Sequence, residues 1–142
     1  MKNKIIFICT GNSCRSQIAE GLFRNEAGEK FKVYSAGSHP SRLHPAAIKV
    51  MAEWGIDIQK QKSEKIDKYL NKGINVVITV CDNAKSTCPN FPDGNIIIHW
   101  SIKDPFHGWN DNEEDLEPYR MARNEIKAKI KDLLQKDEIK NL

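Results

Sequence analysis

Ile5-Ile6-Phe7-Ile8-Cys9-Thr10-Gly11-Asn12-Ser13-Cys14-Arg15-Ser16 is the stretch that decides the fold. Its first five residues are apolar without alternation, as a strand buried on both faces of a parallel sheet requires, and they stop at a polar loop containing glycine. From Ser16 onward Ile18, Ala19, Leu22 and Phe23 recur at helical spacing, and Gly28 reads as a stop. The opening unit is therefore strand, loop, helix. The rhythm repeats outward from there. Residues 33–36 form a second short strand, and Pro45 opens a helix with Ala47, Val50, Met51 and Trp54 on one face before Gly55. Ser63 reads as a helix cap ahead of Ile66, Tyr69 and Leu70, residues 74–80 give the strongest strand signal, and residues 95–100 give a fourth strand. After a loop through Asp104-Pro105, a long helix carries Tyr119, Ala122, Ile126, Ile130, Leu133 and Leu134 on one face. Strands alternating with helices call for right-handed crossovers. The expectation is one α/β domain over residues 1–142, with a four-stranded parallel sheet and helices on both faces.

In such folds the ligand sits outside the carboxyl ends of the strands, and Cys9 and Cys81 both follow strands directly, with Asp104 just beyond the fourth. The loop Thr10-Gly11-Asn12-Ser13-Cys14 leads into a helix, so its backbone N–H groups can line a cup for a tetrahedral oxyanion. Arg15 adds a planar fork of donors that can hold two anion oxygens at once. Beside a helix N-terminus and an arginine, the Cys9 thiol should fall below its usual pKa near ~8.5 and be largely thiolate at neutral pH, with Ser16 donating to the sulfur. Gly11 is expected to supply backbone freedom at the turn, and Asn12 to tolerate an unusual conformation. The oxyanion-binding set is thus Thr10, Gly11, Asn12, Ser13, Cys14, Arg15 and Ser16, in which the Cys14 side chain reads as packing.

Bulk properties narrow the classes. With 39% hydrophobic and 29% charged residues the chain reads as globular, and a formal charge of +3 is too small to argue for nucleic acid. The apolar run after Met-Lys-Asn-Lys is too short for a signal-peptide core, and no stretch approaches the ~20 apolar residues of a membrane span. The expected location is the cytoplasm, where four cysteines are redox-active or catalytic rather than permanently bridged. Four and six intervening residues within the pairs Cys9/Cys14 and Cys81/Cys88 are not the close pairs of a structural zinc site. The four histidines, His39, His44, His99 and His107, show no ligand spacing and read as surface or packing residues.

Cys9-Thr10-Gly11-Asn12-Ser13-Cys14-Arg15-Ser16-Gln17, followed by Ala19-Glu20-Gly21, resembles the family that joins low-molecular-weight tyrosine phosphatases and thioredoxin-coupled arsenate reductases. Gln17, Ser35-Ala36-Gly37 and His99-Trp100 are similar to the reductase branch, as is the cysteine pair in Cys81-Asp82-Asn83-Ala84-Lys85-Ser86-Thr87-Cys88-Pro89. The resemblance covers nearly the whole chain. It implies a Rossmann-like sheet, Asp104-Pro105 as the general-acid motif, arsenate as substrate with phosphate or sulfate competing, thioredoxin as electron donor, no tightly bound cofactor and a monomer. It also implies a potassium ion near Asn12, Glu20 and Ser35, with Glu64 where an aspartate is usual. Phe106-His107-Gly108-Trp109 places aromatic bulk where phosphatases line their aryl slot, so side phosphatase activity is expected. The alternative function is a tyrosine phosphatase with a phosphocysteine intermediate.

Two-electron reduction of arsenate needs more than the Cys9 attack, because one thiolate yields only an arsenic–sulfur adduct. Cys81 is the candidate for completing it, leaving a Cys9–Cys81 disulfide that Cys88 then takes over. If residues 81–88 were regular helix, the two sulfurs' backbones would lie ~10 Å apart along the axis, beyond the ~7 Å that a disulfide spans. That segment is therefore expected to rearrange between reduced and oxidised states.

Overall fold

At about 1.5–3 kcal/mol for each fully buried apolar side chain, burial outweighs strand propensity, whose whole range is only ~1 kcal/mol. Ile5, Ile6, Phe7 and Ile8 are all fully buried, and they form the centre of β1, Asn3–Cys9. The structure, a computed structural model, describes residues 2–81, 91 and 96–142. Around β1 lie β2 (Phe31–Gly37), β3 (Val76–Thr79) and β4 (Ile96–His99), in the sheet order β2-β1-β3-β4. Every neighbouring pair is parallel, with Phe7 opposite both Ser35 and Ile78.

The helices among the described residues are α1 (Arg15–Ala27), α2 (Pro45–Ala52), α3 (Glu117–Gln135) and the short α4 (Asp137–Lys140). Alternation along β1 sends Phe7 to one face, where its ring meets Phe23 of α1 at 5.7 Å and Trp100 at 5.8 Å. Phe31 meets Phe23 on the same side. Ile6 and Ile8 are buried on the opposite face, where Tyr34 meets Tyr69 of the 3-10 turn Ile66–Tyr69 in a tilted ring contact. The α/β fold with its four-stranded parallel sheet is as the sequence implies. No helix among the described residues is long and apolar enough to cross a membrane.

Three local expectations are corrected. Ser63 does not cap a helix: the turn at Ile66 begins from Lys65 without a side-chain cap, and the Ser63 hydroxyl donates to the Gly11 carbonyl instead. Trp54 lies beyond the end of α2 and is 38% exposed, because the chain leaves the helix before it; the guanidinium of Arg123 covers its ring at 3.9 Å and Lys127 lies at 4.8 Å. The third strand is shorter than its apolar run, with Ile74 and Val80 buried beyond its ends and the Val80 N–H still donating to the Ile8 carbonyl of β1. Asn95 and the segment 82–90, with Cys88 and the anticipated rearrangement, lie outside the described residues.

Candidate active site

The loop between β1 and α1 is held from outside. The carbonyl of Thr10 accepts from His39 N, that of Gly11 from Ser41 N, that of Ser13 from His44 N and that of Cys14 from Ile18 N. The Asn12 carbonyl accepts from the Gln17 side chain at 2.9 Å. The peptide bonds of the loop are trans, as are all among the described residues, so each outward carbonyl turns the next N–H inward. Five successive amides, from Gly11 to Arg15, thus face the interior of the loop. The inward N–H of Asn12 reaches the Cys9 sulfur at 3.2 Å. This is the donor geometry that a tetrahedral oxyanion needs.

The left-handed residue in the loop is Asn12, with φ of 47°. Gly11 was expected to provide the freedom at the turn. Instead its φ is not in the left-handed range, and a Cβ there would make only ordinary contacts. The glycine that the loop does require is Gly37, because a Cβ at that position would fall 2.5 Å from the Thr10 carbonyl oxygen. Gly37 lets the end of β2 pass directly under the loop.

Cys9 is 4% exposed and its sulfur lies 2.9 Å from the Ser16 hydroxyl. The expectation of an acidified thiol is not met in this arrangement. Burial pushes the Cys9 thiol up from its ordinary value, more than the Ser16 hydrogen bonds lower it, and the charge of Arg15 contributes least. Arg15 is engaged elsewhere: its Nη1 donates to the Ile102 carbonyl at 2.9 Å while Nη2 faces the Asp104 carboxylate at 3.6 Å. Burial also pushes the Cys14 thiol up to about 12, in keeping with a packing role.

One cleft collects the proposed chemistry, with Cys9, Thr10, Gly11, Ser13, Cys14, Arg15, Cys81 and Asp104 all lining it. Cys81 is buried, and its sulfur lies 3.5 Å from the Thr10 hydroxyl. Asp104 is exposed at the mouth, where it also accepts from Phe106 N. Phe106 and Trp109 form an aromatic wall beside it. Asn12 and Ser16 sit behind the loop, fully buried.

His44 ties this wall to the loop. It is fully buried, and its Nδ1 accepts from Ala46 N to cap α2, so Nε2 carries the proton and donates to the Gly108 carbonyl at 2.7 Å. The Tyr119 hydroxyl lies 3.1 Å from the same nitrogen, and Trp109 stacks on the ring. Desolvation, with Arg42 and His107 nearby, holds the His44 pKa below the ordinary 6.5, against the opposing pull of the Gly108 carbonyl and Asp111. Unfolded His44 takes up a proton near ~6.5 and the folded one only at lower pH. Its stabilising contribution is therefore complete above ~6.5 and is lost as pH falls towards the folded value. His44→Asn keeps an acceptor for the Ala46 N–H but removes the titration and the bond to Gly108. It should cost about 1–3 kcal/mol at pH 7.5 and flatten the fall in urea stability between pH 6.5 and 5. Parallel pH slopes for the two proteins would contradict this.

The four residues named for potassium are engaged with one another. Glu64 N donates to Asn12 Oδ1 at 2.8 Å, which turns Asn12 Nδ2 towards Ser35 and Ser16. The Glu20 carboxylate accepts from Ser35 and from Arg24, and the Glu64 carboxylate pairs with Lys68. An amide NH2 faces the place where a cation would need oxygen. This donor set does not fit the ion. Arg24 escaped the reading of the sequence, although its i,i+4 spacing from Glu20 was a usable signal.

Residues 4–141 match the family model described as low molecular weight phosphotyrosine protein phosphatase. An arsenate reductase of Halalkalibacterium halodurans is 42% identical over 130 residues, 92% of this chain and 94% of that protein. A solved arsenate reductase in the phosphate binding state is 35% identical with a TM-score of 0.75, covering 94% of this chain and 97% of its own. The thioredoxin-dependent arsenate reductase of Corynebacterium glutamicum superposes with a TM-score of 0.74 at 26% identity, covering 94% of this chain and 61% of its own.

Proposed function

The chain belongs to the low molecular weight phosphotyrosine protein phosphatase family, and on that premise we propose that it is an arsenate reductase regenerated by thioredoxin. The observation that carries this reading is a second buried thiol in the anion cleft: Cys81 lines the same cavity as Cys9, Arg15 and Asp104. Phosphate-ester hydrolysis through a cysteine intermediate has no use for it, whereas two-electron reduction requires it. The relatives named arsenate reductase support the reading across nearly the full chain.

The inward amides and Arg15 bind arsenate. The Cys9 thiol passes its proton to an oxygen of the bound arsenate as its sulfur attacks arsenic, and Asp104 protonates the oxygen that departs as water. Cys81 as thiolate then attacks the Cys9 sulfur. A sulfur–sulfur bond forms, the electron pair of the sulfur–arsenic bond stays on arsenic, and arsenite leaves. Arsenic gains two electrons and the two thiols lose them. Cys88 attacks Cys81, which frees Cys9 and moves the disulfide to where a thioredoxin dithiol reduces it. Such chemistry belongs in a reducing cytoplasm, and the chain acts as a monomer.

NADPH oxidation with thioredoxin, thioredoxin reductase and arsenate tests the function. Turnover that depends on both arsenate and thioredoxin is expected. Hydrolysis of aryl phosphates without any arsenate-dependent NADPH loss would reject the reductase in favour of a phosphatase, for which the Phe106–Trp109 wall at the cleft mouth is suited.

A further inference from the structure

Two hydrogen-bond chains run from the Asn12 turn to one guanidinium. In the first, Asn12 Nδ2 donates to Ser35 Oγ at 3.0 Å, Ser35 donates to Glu20 Oε1, and Glu20 Oε2 accepts from Arg24 Nη2. In the second, the Asn12 carbonyl accepts from Gln17 Nε2, the Gln17 amide oxygen accepts from Gln61 Nε2 at 2.9 Å, and the Gln61 oxygen accepts from Arg24 Nη1 at 3.1 Å. Arg24 Nη2 also donates to the Val33 carbonyl at 2.9 Å. Asn12 is the left-handed residue of the loop, and both chains end on it.

The direction of the first chain is set by charge. The Glu20 carboxylate can only accept, so Ser35 must donate to it and can then accept only from Asn12. The second Nδ2 hydrogen goes to Ser16 Oγ at 2.7 Å, which leaves the Ser16 proton aimed at the Cys9 sulfur. This polarity needs a negative Glu20, only 9% exposed, and a buried carboxylate needs a compensating cation. Arg24 supplies it from a half-exposed position, in a cleft where Lys60 and Lys62 stand beside Asp57 and Glu64.

We propose that Arg24 is the built-in cation of the loop support, a positioning residue that makes oxyanion binding by this chain independent of monovalent metal ions. The proposal deepens the reductase reading but is read out without arsenate turnover, so each can fail alone. The probe is inorganic phosphate, titrated calorimetrically into the full chain at fixed ionic strength in potassium, sodium or choline chloride. The wild-type dissociation constant and thermal midpoint should be the same in all three salts. Arg24→Ala should weaken phosphate about tenfold in choline chloride, with recovery in potassium chloride, and Arg24→Lys should retain most of the affinity. A purely structural role would lower the thermal midpoint without salt-specific recovery of phosphate affinity, and that result would overturn the proposal. So would a potassium-specific gain in phosphate affinity by the wild type, or an Arg24→Ala variant that binds phosphate as the wild type does.

Discussion

Arg15→Lys should lower kcat/KM for arsenate by about 10²–10³-fold, the range seen when one preorganised oxyanion donor is lost. In the structure a single guanidinium spans the Ile102 carbonyl and the Asp104 carboxylate, which lie beyond β4, while its own residue starts α1. A lysine ammonium is a point charge and cannot hold a carbonyl, a carboxylate and two anion oxygens in one plane. The loss should fall on both kcat and KM, because the fork both binds arsenate and aligns Asp104 with the departing oxygen. Urea stability should change little, since Asp104 is 61% exposed and such ion pairs contribute at most ~1 kcal/mol. Steady-state kinetics on the purified variant check this, and a kcat/KM within threefold of the wild type would contradict it.

Cys88→Ser should abolish sustained thioredoxin-coupled turnover while preserving one turnover per enzyme. Once Cys81 has attacked Cys9, the resulting disulfide lies between two buried positions, Cys9 and Cys81 both being 4% exposed. A thioredoxin thiolate needs access to one of those sulfurs, and burial denies it. Without Cys88 to draw the oxidation outward, the enzyme stops after releasing one arsenite. Rapid-quench measurement should give a stoichiometric arsenite burst followed by a flat line. Full steady-state activity would remove Cys88 from the cycle.

Much of the site was legible because it depends on local order. The unbroken apolar run of residues 5–8 marks a strand covered on both faces, and positions just after strands meet at one sheet edge whatever the details of packing. Cys9, Cys81 and, beyond the fourth strand, Asp104 follow from that topology and do line one cleft. What depended on distant partners was not legible. Ser63 resembles a cap in sequence, yet the Gly11 carbonyl, 52 positions away, takes its hydrogen bond. Trp54 fits the apolar face of α2 by period, but the chain leaves the helix before it and two cations of α3 cover it. The direction in which the Cys9 pKa moves could not be read from its neighbours in sequence, because burial, which no local pattern records, outweighs the Ser16 hydrogen bonds that lower it. Gly37 and His44 show the same limit. Their roles lie in the closeness of the Thr10 carbonyl to β2 and of the Gly108 carbonyl to the start of α2, neither of which a periodic pattern records.

The relay between Cys9 and Cys81 is tested most directly by mapping the disulfide in Cys88→Ser after a single equivalent of arsenate. The protein is quenched in acid, free thiols are alkylated, and the peptides are identified by mass spectrometry alongside the arsenite released. A Cys9–Cys81 disulfide formed in equal amount to arsenite is the expected product. Arsenite produced with Cys81 still alkylatable, or with Cys9 joined to Cys14 instead, would contradict the relay.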